Sequence, residues 1–388
     1  MADRSDHPSK TIVDADTLPP SRSPWVETWH LLRKNRMAFL GLVIFVIFFG
    51  VAVAGMALTS GSRPILDPAR VRLQEKLRPP LARPRLDTLR PDEVPALGIY
   101  LLGTDDLGRD VFARMLQGAW VSLTVGFVAV GIAVGIGILL GGIAGYYGQE
   151  YIQAGHILFW SLVTATFVLL GAGAPIAAMA TAALAVAGLV WRLKLRRNGS
   201  APPGWLQWIH WPALQVDTLI MRGVDIMLCF PSFFLILTVV ALLPASIYNI
   251  MVIIGLTSWM GTARFVRAEF LSLREQDFVA AAKALGISDA RIIFRHIMPN
   301  AVAPVLVSAT LGIASAILTE AGLSFLGFGV PPPHATWGNI LSDGKDFIFD
   351  APWLTFEPGL IILVVVLAFN LFGEGMRDIL NPKLRERN

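Results

Sequence analysis

Few side chains in this sequence could do chemistry, because ionisable and hydroxyl groups rarely interrupt its long apolar runs. Arg222 and Asp225 stand three apart, which places both on one helical face and lets them pair. Pro231 follows, where it would kink the same helix. Glu320 closes another apolar stretch, with Ser324 one turn further and Gly322, Gly327 and Gly329 around it. A carboxylate there could line an outer gate or accept backbone hydrogen bonds, and the residues leave both readings open. Arg222, Asp225, Pro231, Glu320 and Ser324 are therefore the candidates for a pathway or gate. An intramembrane enzyme around Glu320, Arg222 and Asp225 would need them at one depth. The sequence puts them at opposite ends of their spans, which argues against that reading.

Catalytic motifs are weak or missing. The histidines at 7, 30, 156, 210, 296 and 334 include no i, i+4 pair and no H-E-x-x-H. No G-x-x-x-x-G-K-[ST] occurs, and Gly344-Lys345 is followed by Asp346. Ser342 to Lys345 matches S-x-x-K, a pattern of two fixed residues that arises often by chance. No catalytic residue, metal site or cofactor is expected. The single Cys229 excludes a disulfide within the chain.

Composition says what must hold these residues. Of 388 residues, 54% are hydrophobic and 15% charged, against about 25% charged in a soluble domain. Most of the chain is a membrane body. A net charge of +4 gives no reason to expect nucleic acid. Stretches without Asp, Glu, Lys or Arg run from Met37 to Ser62, Met115 to Gln149, Tyr151 to Trp191, Ile226 to Ala263, His296 to Thr319 and Pro358 to Gly373. A hydrocarbon core of ~30 Å needs about 20 apolar helical residues. Helices are expected near 37–58, 119–146, 217–243, 250–267, 300–319 and 358–376, with a turn at Pro244 and Ala245–Asn249.

One helix over 151–191 would be about twice as long as the core is thick. The run Gly171 to Pro175 can turn the chain, so two short spans near 157–171 and 175–191 fit better, or a re-entrant hairpin. Basic residues decide between odd and even crossings. Arg33, Lys34 and Arg36, the clusters in 192–216 and 268–299, and the tail with Lys383, Arg385 and Arg387 share one side only if this stretch returns to its own side. Both termini are then cytoplasmic. The loop 59–118 falls outside by this count although it is rich in Lys and Arg; at this length the rule loses force.

The remaining organisation follows. Residues 1–24 are expected to be a disordered tail rather than a cleavable signal, since the apolar run behind them is too long and starts too late. Trp25, Trp29 and Leu32 suit either a short interfacial helix over 25–36 or a cytoplasmic extension of the span at 37–58. A helical membrane body fills 119–385, interrupted by an apolar hairpin with a basic, Trp-bearing segment at 151–214. Trp205, Trp208 and Trp211 beside the basic patch suit a membrane-surface anchor. Gly131, Gly135, Gly137, Gly141 and Gly145 supply small-xxx-small spacings for close helix packing.

The polar segment Glu269 to Asn300, EFLSLREQDFVAAAKALGISDARIIFRHIMPN, carries the most information. Asp277 to Leu285 has a helical pattern, with Phe278, Ala281, Ala282 and Leu285 at helical spacings. Gly286 ends it as a C′ residue would. Ser288 or Asp289 can cap a second helix. An Ala/Phe surface between two spans has no evident reason to face water, so it reads as a docking surface.

This segment resembles the cytoplasmic docking loop of binding-protein-dependent ABC importer permeases, with Ala281, Ala282 and Gly286 on its signature and Ala280 where Glu is usual. LGTDDLGRDVFAR at 102–114, DTLIMRGVDIMLCFPSFF at 217–234 and EAGLSFLGFGVPPPHATWGN at 320–339 are similar to the second permease subunit of the dipeptide/oligopeptide/nickel importers. The resemblance covers about 25–150 and 215–385; 151–214 has no counterpart in that pattern. It implies an all-α polytopic membrane protein of the type I ABC importer permease fold, with six family spans plus the inserted hairpin. It implies a bacterial inner-membrane subunit, non-catalytic, forming half of a pathway for di- or oligopeptides, with nickel or another small solute as the alternative. The implied partners are a homologous first permease subunit, two ABC ATPase subunits, an extracytoplasmic solute-binding protein and membrane lipid. Coupling to the ATPase would fall to Asp277, Phe278, Ala281, Ala282, Leu285 and Gly286, with Phe278 and Ala282 as the contacts.

Overall fold

Without water, a chain must satisfy its own N–H and C=O groups, so the apolar runs become helices. The computed structural model describes residues 24–61, 64–87, 89–91, 93–198, 204 and 212–380. The expectations for the tail before Pro24, for Trp205, Trp208 and Trp211, and for Lys383, Arg385 and Arg387 lie outside the described residues. The helices are α1 Pro24–Lys34, α2 Arg36–Thr59, α3 Val111–Tyr146, α4 Ala154–Gly171, α5 Pro175–Asn198, α6 Val216–Leu228, α7 Ser232–Leu242, α8 Ile247–Arg274, α9 Asp277–Ala284, α10 Asp289–Ile292, α11 Met298–Phe325, α12 Trp337–Gly344 and α13 Trp353–Leu380. Two short strands, β1 Tyr151–Gln153 and β2 Pro212–Gln215, pair antiparallel.

Five helices (α2, α3, α8, α11 and α13) are long and apolar enough to span a membrane, and α6 with α7 makes a sixth span broken by 78°. The chain is an all-α polytopic membrane protein. Its helices outrun the apolar stretches that announced them. The span expected at 119–146 begins at Val111, because Asp110 caps it by accepting from the Phe112 and Ala113 amides. Arg114 does not interrupt that helix, because its charge is paired across the fold. The span expected at 250–267 continues to Arg274, which shortens the polar loop that follows it. Pro231 does more than kink the helix expected over 217–243: it stands at the break, as the cap of α7.

α3 and α8 form the central pair. Gly137, Gly141 and Gly145 face α8, and a Cβ on Gly141 would lie 2.4 Å from the Ala263 carbonyl oxygen. Gly131 and Gly135 have no neighbour at their Cβ positions, so only part of the glycine series serves this contact. The largest core gathers Ile250 and Ile254 of α8, Ile317 and Leu323 of α11, and Trp337 of α12 around α3. α1 is fixed to the bundle by Leu32, which packs with Ala38 and Ile379, while Trp29 stays half exposed under the Arg33 guanidinium. At 36 residues, α3 is about 54 Å long and joins two polar ends of the bundle. Segment 64–110 and α12 lie at its start; α9 and α10 lie at its finish.

Candidate functional site

At the finish of α3, α9 is a two-turn helix joined to the bundle along one side. Val279 and Ala282 are buried against Val266, Phe270, Ile292 and Ile297, while Asp277, Phe278, Ala280, Ala281, Lys283 and Leu285 are exposed. The Ile287 amide donates to the Ala282 carbonyl and the Gly286 amide to that of Lys283, which closes the helix as a Schellman motif. Gly286 has φ +73° with open space around it, so the left-handed backbone, not crowding, requires glycine there. Ala282 faces inward, which removes it from the outward contact surface expected of it. Phe278, Ala281 and Leu285 remain exposed.

Polar contacts tie the knuckle to α3. The Lys283 ammonium lies 5.5 Å from the Tyr146 ring centre, and the Tyr146 hydroxyl donates to Asp289 at 2.6 Å. Arg274 donates to the Tyr146 carbonyl at 3.1 Å. These groups line a recess of about 280 Å³. Asp289 is thus taken by Tyr146, and Ser288 occupies the N-cap of α10 without a side-chain bond. A single π turn, Ile293–Ile297, then feeds into α11, a local irregularity frequent at functional sites.

The other end is built on ion pairs. The Asp105 carboxylate is fully buried and accepts from the Leu107 and Arg109 amides, from Arg109 Nε at 2.6 Å and from Arg114 Nη1 at 2.5 Å. The same two guanidiniums reach Asp343 of α12, at 3.1 and 2.8 Å. Gly108, φ +72°, lets the loop turn over the Arg72 carbonyl, where any Cβ would overlap it at 1.8 Å. Oxygens of Asp105, Asp106 and Asp343 lie within 4.8 Å of one another, and Arg109 and Arg114 supply the positive charge between them. Burial, with the carboxylates of Asp105 and Asp343 adding, holds Asp106 above the usual carboxylate range. Burial likewise raises Asp110, and pushes the Tyr100 phenol up to about 12. A cleft of about 440 Å³ opens here, lined by Asp106, Arg109, Ser324, His334, Asn339 and Asp343.

Comparison with known proteins fits this architecture. Residues 212–386 match the profile of the binding-protein-dependent transport system inner membrane component, and 23–80 match the N-terminal transmembrane domain of oligopeptide transport permease C. A dipeptide transport system permease protein of Alkalihalophilus pseudofirmus is 35% identical, with 98% of this chain and 99% of the relative covered. The dipeptide permease of Haemophilus influenzae is 32% identical over 94% of this chain and 97% of its own length. The oligopeptide permease of Bacillus subtilis is 29% identical, over 94% and 92%. The chain belongs to the inner-membrane permease family of binding-protein-dependent transport systems.

The permease does not gather its sequence-predicted pathway residues into one site. Arg222 and Asp225 pair only loosely, at 3.8 Å; the close partner of Asp225 is Arg264 of α8, at 2.6 Å. Glu320 is fully buried at the other end and accepts from the hydroxyls of Ser324 at 2.6 Å and Ser122 at 3.4 Å. Its partners are side-chain hydroxyls, where the sequence left open an outer gate or backbone donors. Ser324 bridges Glu320 to the cleft it lines. Sequence reasoning missed Asp105, Arg109, Arg114 and Asp343, together with the bidentate Arg267–Asp217 pair between α8 and α6. Asp105 and Arg109 meet across a turn around the left-handed Gly108, where the helical i, i+4 rule gives no signal, and Asp343 carried none.

Proposed function

We propose that this permease is one of two homologous membrane subunits of a peptide importer, coupled through α9 to a separate pair of ATPase subunits. The observation that carries the reading is the knuckle itself. A two-turn helix with an exposed Phe278, Ala281 and Leu285 face is rooted by Val279 and Ala282 and ended by the left-handed Gly286. Such a unit transmits a push, since packed interfaces have discrete arrangements rather than yielding continuously. Peptides are the solute supported by the names of the dipeptide and oligopeptide permeases above. The knuckle and both termini are cytoplasmic in this reading, and the ion-paired loop with α12 faces outward to meet a solute-binding protein. Arg274, Lys283, Arg291 and Arg295 around the knuckle support that orientation, since the rule counts basic residues and not net charge. The basic loop 59–118 no longer argues against it, since Arg72, Arg78, Arg109 and Arg114 are committed to partners in the fold. The chain itself is non-catalytic, and ATP hydrolysis belongs to the partner subunits.

The test is Gly286→Pro in the assembled importer. Proline cannot reach a φ near +73°, so peptide uptake should fall to background while the chain still inserts and ATP is still hydrolysed. Wild-type uptake would refute the coupling role. A Phe278→Cys variant should cross-link to an ATPase subunit.

A further inference from the structure

We propose that the α4–α5 hairpin is a membrane-embedded finger, surrounded by lipid acyl chains on every side, whose apex stops inside the hydrocarbon instead of emerging on the far face. The inference requires only that the chain resides in a membrane, so it stands or falls separately from the transport reading.

Three observations carry it. The first is the absence of a polar side on the described part of the hairpin. Leu158, Trp160, Phe167 and Leu170 of α4, and Ile176, Met179, Leu184 and Val186 of α5, point outward all round the two axes, with Ile176 85% exposed. A protein groove would cover one of these faces and leave the opposite one in water. A fluid apolar medium covers all of them. The two helices pack on each other through Ala178 and Ala185, joined by a Thr166–Thr181 hydroxyl bond of 2.8 Å.

The second is that the described hairpin keeps its hydrogen bonds to itself. Ser161 and Thr164 each donate to a carbonyl of their own helix, and the Thr166 and Thr181 hydroxyls share their protons between each other and the Leu162 and Ala178 carbonyls. At the apex the Ala174 amide donates to the Leu169 carbonyl and the Gly173 amide to that of Leu170, a Schellman closure around the left-handed Gly173. Pro175 starts α5 at a position where an amide would find no partner. Water would make such economy unnecessary, whereas hydrocarbon enforces it.

The third is length. The apolar segments Ile157–Gly171 and Pro175–Val190 reach about 22 and 24 Å at ~1.5 Å per residue, short of a ~30 Å core. The apex from Gly171 to Pro175 has no charged or hydroxyl side chain to hold it in a headgroup layer. The base is the opposite: β1 pairs with β2, and the Val216 amide donates to the Glu150 carbonyl, so the finger enters and leaves at one point beside the knuckle end of α3.

The experiment uses the assembled importer in sealed vesicles of both orientations, with Cys229→Ser as background. Ala172→Cys places a thiol at the apex and Tyr151→Cys one at the base. A membrane-impermeant maleimide should label the base thiol from one face only. It should label the apex thiol from neither face until detergent is added. Apex labelling from the face opposite the base would mean a full crossing and overturn the proposal. Apex labelling from the same face as the base would mean an arm in water and overturn it equally. Spin labels at Trp160, Phe167, Ile176 and Leu184, all exposed positions, should be open to oxygen and closed to a nickel chelate. Protection of any one face from oxygen would replace lipid by a protein partner.

Discussion

At the knuckle end, Val279 and Ala282 reach the bundle through apolar contacts; at the loop end, Arg109 and Arg114 tie the loop, α3 and α12 together through the buried Asp105 and the partly exposed Asp343. Apolar contacts are non-directional and tolerate small rotations of one element over another. Buried ion pairs fix geometry, and opening one strands a charge in a low dielectric. The two ends of α3 are therefore built for different work. The loop end, sewn further by Trp337 donating to the Met115 carbonyl and by Gln117 accepting from the Ala335 amide, is a rigid cap. The knuckle end, with a free helical face and a π turn into α11, is the one able to shift under load.

This contrast can be broken most sharply at Arg114. Arg114→Ala leaves Asp105 buried with half its ionic support, and should destabilise the folded chain by about 3–5 kcal/mol. Thermal unfolding of the detergent-solubilised importer reads it, and an unchanged Tm would mean that the loop end is not a rigid cap. Val279→Ala, at the root of the knuckle, removes buried methyl groups and should cost about 2 kcal/mol in the same assay. Phe278→Ala, on the exposed face, should stay within about 0.5 kcal/mol, yet weaken ATPase association in a pull-down. Equal losses for the two would erase the distinction between root and face.

Gly286→Ala should cost about 1–2 kcal/mol, the penalty of a left-handed residue bearing a Cβ. Gly286→Asn should cost less, because asparagine enters that region more readily. If alanine and asparagine behave alike, crowding rather than backbone conformation governs the position. The smallest effect concerns Asp110. Burial raises its pKa, so the folded chain holds that proton to higher pH than the unfolded chain. Between the ordinary value of 3.8 and the raised one the folded state binds more protons, and stability falls as pH rises through that window. Asp110→Asn keeps a capping oxygen and should flatten that part of the Tm-against-pH curve. A curve that rises through the window in the parent protein would reverse the sign claimed here.

Much of the knuckle was legible because its determinants are local. Phe278 to Leu285 repeat at helical spacing, and Gly286 stands where a left-handed C′ residue must. Which alanine faces inward was not legible, since that depends on Phe270 and Ile297 from neighbouring helices. The partners of the pathway candidates were not legible for the same reason. Arg222 and Asp225 were paired by sequence proximity, but Arg264 arrives from α8 and takes the closer place. Glu320 was read as an end-of-span carboxylate, and it proved to be a buried hub for hydroxyls from α3 and α11.

Charge-free length by itself determined that this chain lives in a membrane as helices, because a bilayer asks only that backbone groups be satisfied over a fixed thickness. It also determined the two-helix division of the 151–191 stretch, because the hydrocarbon thickness caps what one straight helix can use. The tertiary structure alone decided the partners of each charge. Arg114 and Asp343 are 229 residues apart in sequence, and no local rule of spacing or propensity acts over such a separation. Only the packing of α3 against α8 and α12 brings them within reach.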